Sequence, residues 1–371
     1  MAAVKAGTAV LLALVWVIGG RRVNVFPLFF LRVVVMEYGH WLAVAAVAVA
    51  LFPVGAPGIL EGVLLVEAAL LCIPLVTARR LAKRRGRKVR ATVAFSLRGL
   101  AAPPLRRLTF PGPGGDLEID FFPSGGAEPR PCMVVVHGGG WVSGRTDENV
   151  GWDSLWTHRG WHVASVSYRL APADQWPAPR EDVIAAIRHL QAESDNLGID
   201  PARLVLFGRS AGGQIASVVA VSGEVKGILG CICFYAPFDM EFAYRHGDEN
   251  DILRSLALLR SYLGGPLDAV PGSYRDASAF HLVTPASPPF LLLHGKRDEL
   301  VWVRQSRRFF RRLRAIGVPC TYEELPWATH AFDWNVRGPG GQWARAAVEK
   351  FLAECLQNPS GRCLDSNSVE F

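Results

Sequence analysis

Cysteine is scarce and unpatterned. The seven in 371 residues form an odd, scattered set with no metal-ligand spacing, which argues against a disulfide framework and offers no metal site. Cys231-Ile232-Cys233 lies inside an apolar run and is expected in the core. Net positive charge is missing from most of the chain as well. Residues 1–90 hold 12 Lys/Arg against three Asp/Glu, whereas residues 91–371 hold 28 against 30, so the net charge of +7 is no argument for nucleic acid. The glycine run His137-Gly138-Gly139-Gly140-Trp141 lacks both the lysine of a P-loop and the G-x-G-x-x-G spacing of a dinucleotide site.

What the first 90 residues contain is apolar sequence followed by a basic run. Three blocks, "AGTAVLLALVWVIGG" (6–20), "WLAVAAVAVALFPVGAPG" (41–58) and "ILEGVLLVEAALLCIPLV" (59–76), are each marginal against the roughly 20 residues that cross a bilayer. Glu61 and Glu67 weaken the third block, because a carboxylate in lipid is costly unless it faces protein or water. The run "RRLAKRRGRKVR" (79–90) follows directly and reads as a juxtamembrane segment facing the cytoplasm. The expectation is two or three membrane helices with a hairpin turn at 55–58, membrane lipids as partners, and the domain that follows on the cytoplasmic side. A cleaved signal peptide is the rival reading of the first block. That reading is opposed by a charged n-region of Lys5 alone and by two arginines after Gly19-Gly20, where a cleavage site would lie.

Residues 91–116 are rich in Pro and Gly and read as a linker into a first strand or hairpin. The stretch 117–356 then alternates short apolar runs with helical patterns. "CMVVV" (132–136), "HVASVSY" (162–168), "RLVLF" (203–207), "ILGCICFY" (228–235) and "PFLLLHG" (289–295) read as buried strands. Val183, Ile184, Ile187 and Leu190 form one helical stripe, and Phe309, Phe310, Leu313 and Ile316 another. Such alternation implies an α/β fold with a mostly parallel sheet covered by helices on both faces. Residues 236–287 form a long insertion between two strands, a candidate cap whose "DILRSLALLRSYL" is amphipathic. The polar tail 357–371 is expected to be disordered.

Sites in such sheets lie at the carboxyl ends of strands. Ser210 follows "RLVLF" within Gly208-Arg209-Ser210-Ala211-Gly212, a spacing that suits a sharp strand-to-helix turn exposing a hydroxyl. Asp298 follows the "FLLLHG" strand and His330 follows "TYEELP", so three groups capable of nucleophilic catalysis fall at strand ends in the order Ser, Asp, His. The glycine run supplies bare backbone, which an oxyanion hole needs. Gly139, Gly140 and Ala211 are the natural N–H donors. A serine hydroxyl needs a base, and the base needs a partner to fix its tautomer. No metal or organic cofactor enters such a reaction.

With His137-Gly138-Gly139-Gly140, Gly208-x-Ser210-Ala211-Gly212-Gly213, Asp298, His330-Ala331-Phe332 and "SYRLAPADQWPAPREDV" in place, the chain resembles the α/β-hydrolase fold and, more narrowly, the hormone-sensitive-lipase-type carboxylesterases over about residues 115–355. The resemblance implies Ser210 as nucleophile, His330 as base and then acid, Asp298 orienting it, and Gly139, Gly140 and Ala211 as oxyanion hole. It also implies a lipophilic ester as substrate. Two departures stand out. Arg209 occupies the position where the family often has Asp, and a membrane segment stands where soluble members build part of a lid. Trp141, Tyr168, Trp176 and Phe238 are candidate lining for an apolar pocket. "GPGGQ" (338–342) reads as a turn before the last helix, or as a loop shaping the site near His330. The same motifs also resemble arylformamidases and some serine peptidases, and a non-catalytic membrane-bound scaffold is the remaining alternative.

Overall fold

The computed structural model describes residues 4–12, 26–52, 58–96 and 103–357. They fall into two compact units. The larger comprises Gly99–His294, Val301–Glu324 and Val348–Phe371; the smaller comprises Met1–Arg98 together with Gly295–Leu300 and Leu325–Ala347.

The larger unit is organised by a sheet of eight strands: β1 (Arg106–Gly112), β2 (Gly115–Phe122), β3 (Arg130–Val136), β4 (His162–Val166), β5 (Ile199–Arg209), β6 (Ile228–Phe234), β7 (Phe290–Gly295) and β8 (Cys320–Leu325). Their order is β1-β2-β4-β3-β5-β6-β7-β8. The β1–β2 and β2–β4 pairs are antiparallel, and β4, β3, β5, β6 and β7 run parallel. β3 and β5, in the middle, are apolar along most of their length because helices cover both faces. This is the α/β-hydrolase fold that the resemblance implies, with the mostly parallel sheet expected from the alternation of strands and helices. Cys231 and Cys233 are buried on β6, as expected.

β1 corrects the sequence reading. Residues 106–112, expected within a linker, pair with β2 in a hairpin closed between Gly112 and Gly115. β1 is an outer strand with only Phe110 buried, so it shows none of the apolar continuity that marks the central strands, and Pro111 is tolerated there. The 236–287 insertion folds into four short helices, of which Ser255–Leu263 buries Leu259, Tyr262 and Leu263.

In the smaller unit, the helix Phe26–Leu51 packs against Ile59–Leu71, which continues after a break at Cys72 as Ile73–Arg84. Pro74 near the start of the last helix explains that break, since its nitrogen donates no hydrogen bond. Val35, Ala43, Ala46 and Ala50 meet Leu64, Ala68 and Leu71, and Gly39 brings its backbone against the Leu71 carbonyl, where a Cβ would lie 2.5 Å away. Leu28–Leu51 and Ile59–Arg84 are both long and apolar enough to cross a membrane, by length and composition. The first starts well before the block expected at Trp41 and carries Arg32, Glu37 and His40 as buried side chains. Helical residues 4–12 lead the described chain, and Lys5 donates to Glu61 Oε1 at 2.6 Å. Most of the first apolar block, the turn expected at 55–58 apart from Gly58, and the tail beyond Gln357 lie outside the described residues.

Candidate active site

β5 runs straight into the helix Ala211–Ser222 through a single residue, Ser210, with φ 51° and ψ −122°. A non-glycine residue rarely adopts such backbone angles, and they persist only where the surroundings enforce them. Here Ser210 N–H donates to Phe234 O at 3.0 Å, and Ser210 O accepts from Gly213 N–H at 3.0 Å. The flanking glycines are required by crowding. A Cβ on Gly208 would sit 2.5 Å from Gly213 Cα; one on Gly212 would strike the Val136 and His137 carbonyls; one on Gly213 would come within 2.6 Å of Ala236 Cβ. The turn therefore projects Ser210, half-buried, from the carboxyl end of β5, with Ala211 N–H in the first helical turn where no intrahelical acceptor exists.

The glycine run follows β3. Gly139, Gly140 and Trp141 take φ of 108°, 60° and 64°, three left-handed residues in succession. Side chains fix this loop from both ends. Tyr168 OH donates to His137 O (3.0 Å) and lies stacked on the His137 ring at 4.2 Å. Burial pushes His137 below the ordinary imidazole range and Tyr168 above the ordinary phenol range, so both stay neutral. At the other end Trp141 Nε1–H donates to Gln214 Oε1 (2.8 Å), and Tyr262 OH donates to the same oxygen (2.9 Å). Gln214 Nε2–H in turn donates to Ala277 O at 2.8 Å, and Trp141 stacks on Tyr262 with centroids 4.4 Å apart. Gln214, fully buried on the helix that follows Ser210, thus ties the glycine loop to the serine turn.

Asp298 and His330 meet in the smaller unit. His330 Nδ1 and Asp298 Oδ2 are 2.7 Å apart, both side chains buried. Because an ionised carboxylate only accepts, Nδ1 carries the hydrogen and Nε2 is left as the basic nitrogen. Asp298 Oδ1 accepts from Leu300 N–H at 2.9 Å, which fixes the carboxylate plane. Gly295 allows the two loops to close, since a Cβ there would lie 2.5 Å from the Ala328 and Thr329 carbonyls.

The four aromatic residues expected around a pocket are all buried. Trp141 and Tyr168 hold the glycine loop. Trp176 Nε1–H donates to Asp276 Oδ2 (2.8 Å), and Phe238 has zero exposure, stacked on Phe309 at 4.5 Å. Arg209 is buried too, its guanidinium over the rings of Phe207 (4.2 Å), Trp152 (5.4 Å) and Phe234 (5.6 Å), so it lies on the inner side of the serine turn rather than at a surface. Sequence reasoning missed Gln214 and Tyr262. The available signal was a polar residue in the middle of an otherwise apolar helix.

The chain belongs to the BD-FAE family, whose model matches residues 117–313, more than half its length. Among curated proteins it is 33% identical over 224 residues to "Esterase LipC" of Mycobacterium tuberculosis, covering 56% of this chain and 54% of that protein. It is 31% identical over 240 residues to the "Probable carboxylic ester hydrolase LipM" of the same organism, covering 60% and 54%. The chain thus spans about half the length of the curated relatives it matches. Among solved structures, a Pyrobaculum calidifontis esterase superposes with a TM-score of 0.59 at 23% identity over 77% of this chain and 93% of that one, a likeness of fold.

Proposed function

We propose that the chain is a membrane-anchored serine carboxylesterase that cleaves lipophilic acyl esters through an acyl-Ser210 intermediate, with its catalytic domain on the cytoplasmic side. The observation that carries this reading is the left-handed Ser210 turn, a strained backbone of the kind that clusters at active sites. The Asp298–His330 hydrogen bond supports it, as do the carboxylic ester hydrolases among the relatives. Anchoring is supported by the two apolar spans and the basic run after them.

In this reading His330 Nε2 takes the Ser210 hydroxyl proton as Oγ attacks the ester carbonyl. Negative charge develops on the carbonyl oxygen, where the N–H groups of Gly139, Gly140 and Ala211 receive it. Asp298 stabilises the imidazolium, which then protonates the departing alkoxide. Water repeats the sequence on the acyl-enzyme and releases the acid. Hydrolysis of p-nitrophenyl esters of increasing chain length by membrane-extracted protein tests the reading. Ser210→Ala is expected to lower kcat by about 10⁴-fold or more. Turnover of an N-formyl aryl amine without ester hydrolysis would replace the esterase reading with an amidase. No Ser210-dependent turnover and no fluorophosphonate labelling of folded protein would leave a non-catalytic role.

A further inference from the structure

The segment after His330 is built to receive the N-terminal helix. Within "GPGGQ", a Cβ on Gly338 would strike Glu37 Oε2, and one on Gly340 would lie 2.9 Å from Glu37 Oε1. Gly340 N–H donates to Glu37 Oε2 at 3.2 Å, and Asn335 Nδ2–H donates to Glu37 O at 3.4 Å. Gln342 extends the same attachment, accepting from Arg90 N–H (2.8 Å) and donating to Arg90 O (3.1 Å). Trp334 meets the edge of Phe30 with centroids 5.4 Å apart. The loop carrying Asp298 has its own tie to the same helix. Arg32, buried, forms an ion pair with Glu299, the residue next to Asp298.

A helix that served only as a tether would gain nothing from these groups. Charged side chains in an apolar span are expensive unless they meet partners in protein, and they mark function by default. Arg32 and Glu37 stand five positions apart on one helix and reach the two loops that present the two members of the hydrogen-bonded pair. We propose that Arg32 and Glu37 are positioning residues for Asp298 and His330, so that the helix Phe26–Leu51 is a working part of the hydrolase rather than a detachable anchor. This rests on the acyl-serine reading, because the effect is read in ester hydrolysis.

The test uses the full-length chain extracted from membranes, with kcat and KM measured separately on a p-nitrophenyl ester. Glu37→Ala and Arg32→Met are each expected to lower kcat by about 10- to 100-fold, the cost of a small misplacement of catalytic groups, with KM shifted far less. Glu37→Gln keeps an oxygen to accept from Gly340 N–H and recovers most of the loss. Arg32→Glu alone is as poor as Arg32→Met, and adding Glu299→Arg restores activity. A kcat within about twofold of wild type in both Glu37→Ala and Arg32→Met overturns the proposal, since misplaced groups cost more. Where a single variant fails to fold, the reversed pair decides: a folded Arg32→Glu/Glu299→Arg protein that stays as poor as Arg32→Glu overturns it. Ser210→Ala runs in parallel. Loss of activity there with indifference at Arg32 and Glu37 sinks this inference alone, whereas an unaffected Ser210→Ala sinks the acyl-serine reading and this inference with it.

Discussion

The serine turn and the Asp298–His330 pair are both crowded places, but the crowding differs in kind. Around Ser210 the close approaches involve backbone and short side chains: Gly208 against the Gly212–Gly213 backbone, Gly212 against the Val136 and His137 carbonyls, Gly213 against Ala236. All come from neighbouring parallel strands and the helix they feed, so the sheet itself fixes the geometry. After His330 a distant side chain joins the local backbone: Glu37, some 300 positions earlier in the chain, is the nearest obstacle at Gly338 and the second nearest at Gly340, whose closest neighbour is the Phe332 carbonyl. Backbone cannot retract without breaking strand pairing, whereas a carboxylate can be removed by substitution. The first arrangement is therefore intrinsic to the fold, and the second is a separable attachment.

The largest effect separates the two directly. Gly212→Ala places a Cβ against two carbonyls of the central sheet, and it is expected to cost at least about 1–3 kcal/mol of stability. Displacement of the serine turn is expected to lower kcat by more than about 100-fold. No single partner substitution should restore it. Gly338→Ala meets the Glu37 carboxylate and should destabilise the smaller unit comparably, but Glu37→Ala in the same chain should return part of the loss, because the two side chains then share one vacated space. Thermal unfolding of the singles and the double checks this. Additive losses for Gly338→Ala and Glu37→Ala would erase the distinction between the regions.

A smaller effect on kcat asks whether the serine region needs side chains at all. Gln214→Leu removes the acceptor of Trp141 Nε1–H and Tyr262 OH and the donor to Ala277 O, leaving three buried polar groups without their partner. Each such group costs about 1–3 kcal/mol, less whatever relaxation or water recovers. Because Trp141 directly follows Gly140, the proposed oxyanion donors would lose their support, and kcat is expected to fall by about tenfold, within the range that single positioning and electrostatic contacts contribute. Gln214→Glu keeps the acceptor and should fall between. Ester kinetics of folded Gln214→Leu at wild-type rate would show that the backbone alone holds the loop.

What was legible in the chain follows the same division. The positions of Ser210, Asp298 and His330 after the ends of strands were readable because a strand end is a local pattern, a short apolar run closed by glycine or a turn. The strands and the serine turn needed only nearby residues. Gln214 was not readable as a tie, because its meaning depends on Trp141, Tyr262 and Ala277 from three other segments. Glu37 and Arg32 sat ahead of the apolar block read from Trp41 onward, and "GPGGQ" read as a turn, because the closest neighbour of Gly338 is a carboxylate hundreds of residues away. β1 was hidden by its exposure and by Pro111. The division into units was also beyond reach: the Asp298 and His330 loops group with the N-terminal segment rather than with the sheet that leads into them.

The last effect, and the smallest expected on kcat, concerns charge beneath the serine turn. Asp153 is buried with neither carboxylate oxygen hydrogen-bonded among the described residues, and burial raises its pKa to about 7 despite the opposing pull of Arg209. An acid whose folded pKa exceeds its unfolded value binds an extra proton in the folded state. The two states bind alike below pH 4, and the folded state loses stability relative to the unfolded as pH rises from about 4 to about 7, reaching a constant penalty above that. The slope from this one group is at most about 1.4 kcal/mol per pH unit. Asp153→Asn removes it. Melting temperature measured from pH 5 to pH 8 should therefore fall more steeply in the wild type than in Asp153→Asn, with the curves diverging toward alkaline pH. Parallel curves would mean that Asp153 is ionised throughout, held by Arg209, and that the serine turn rests on a buried ion pair as well as on backbone crowding.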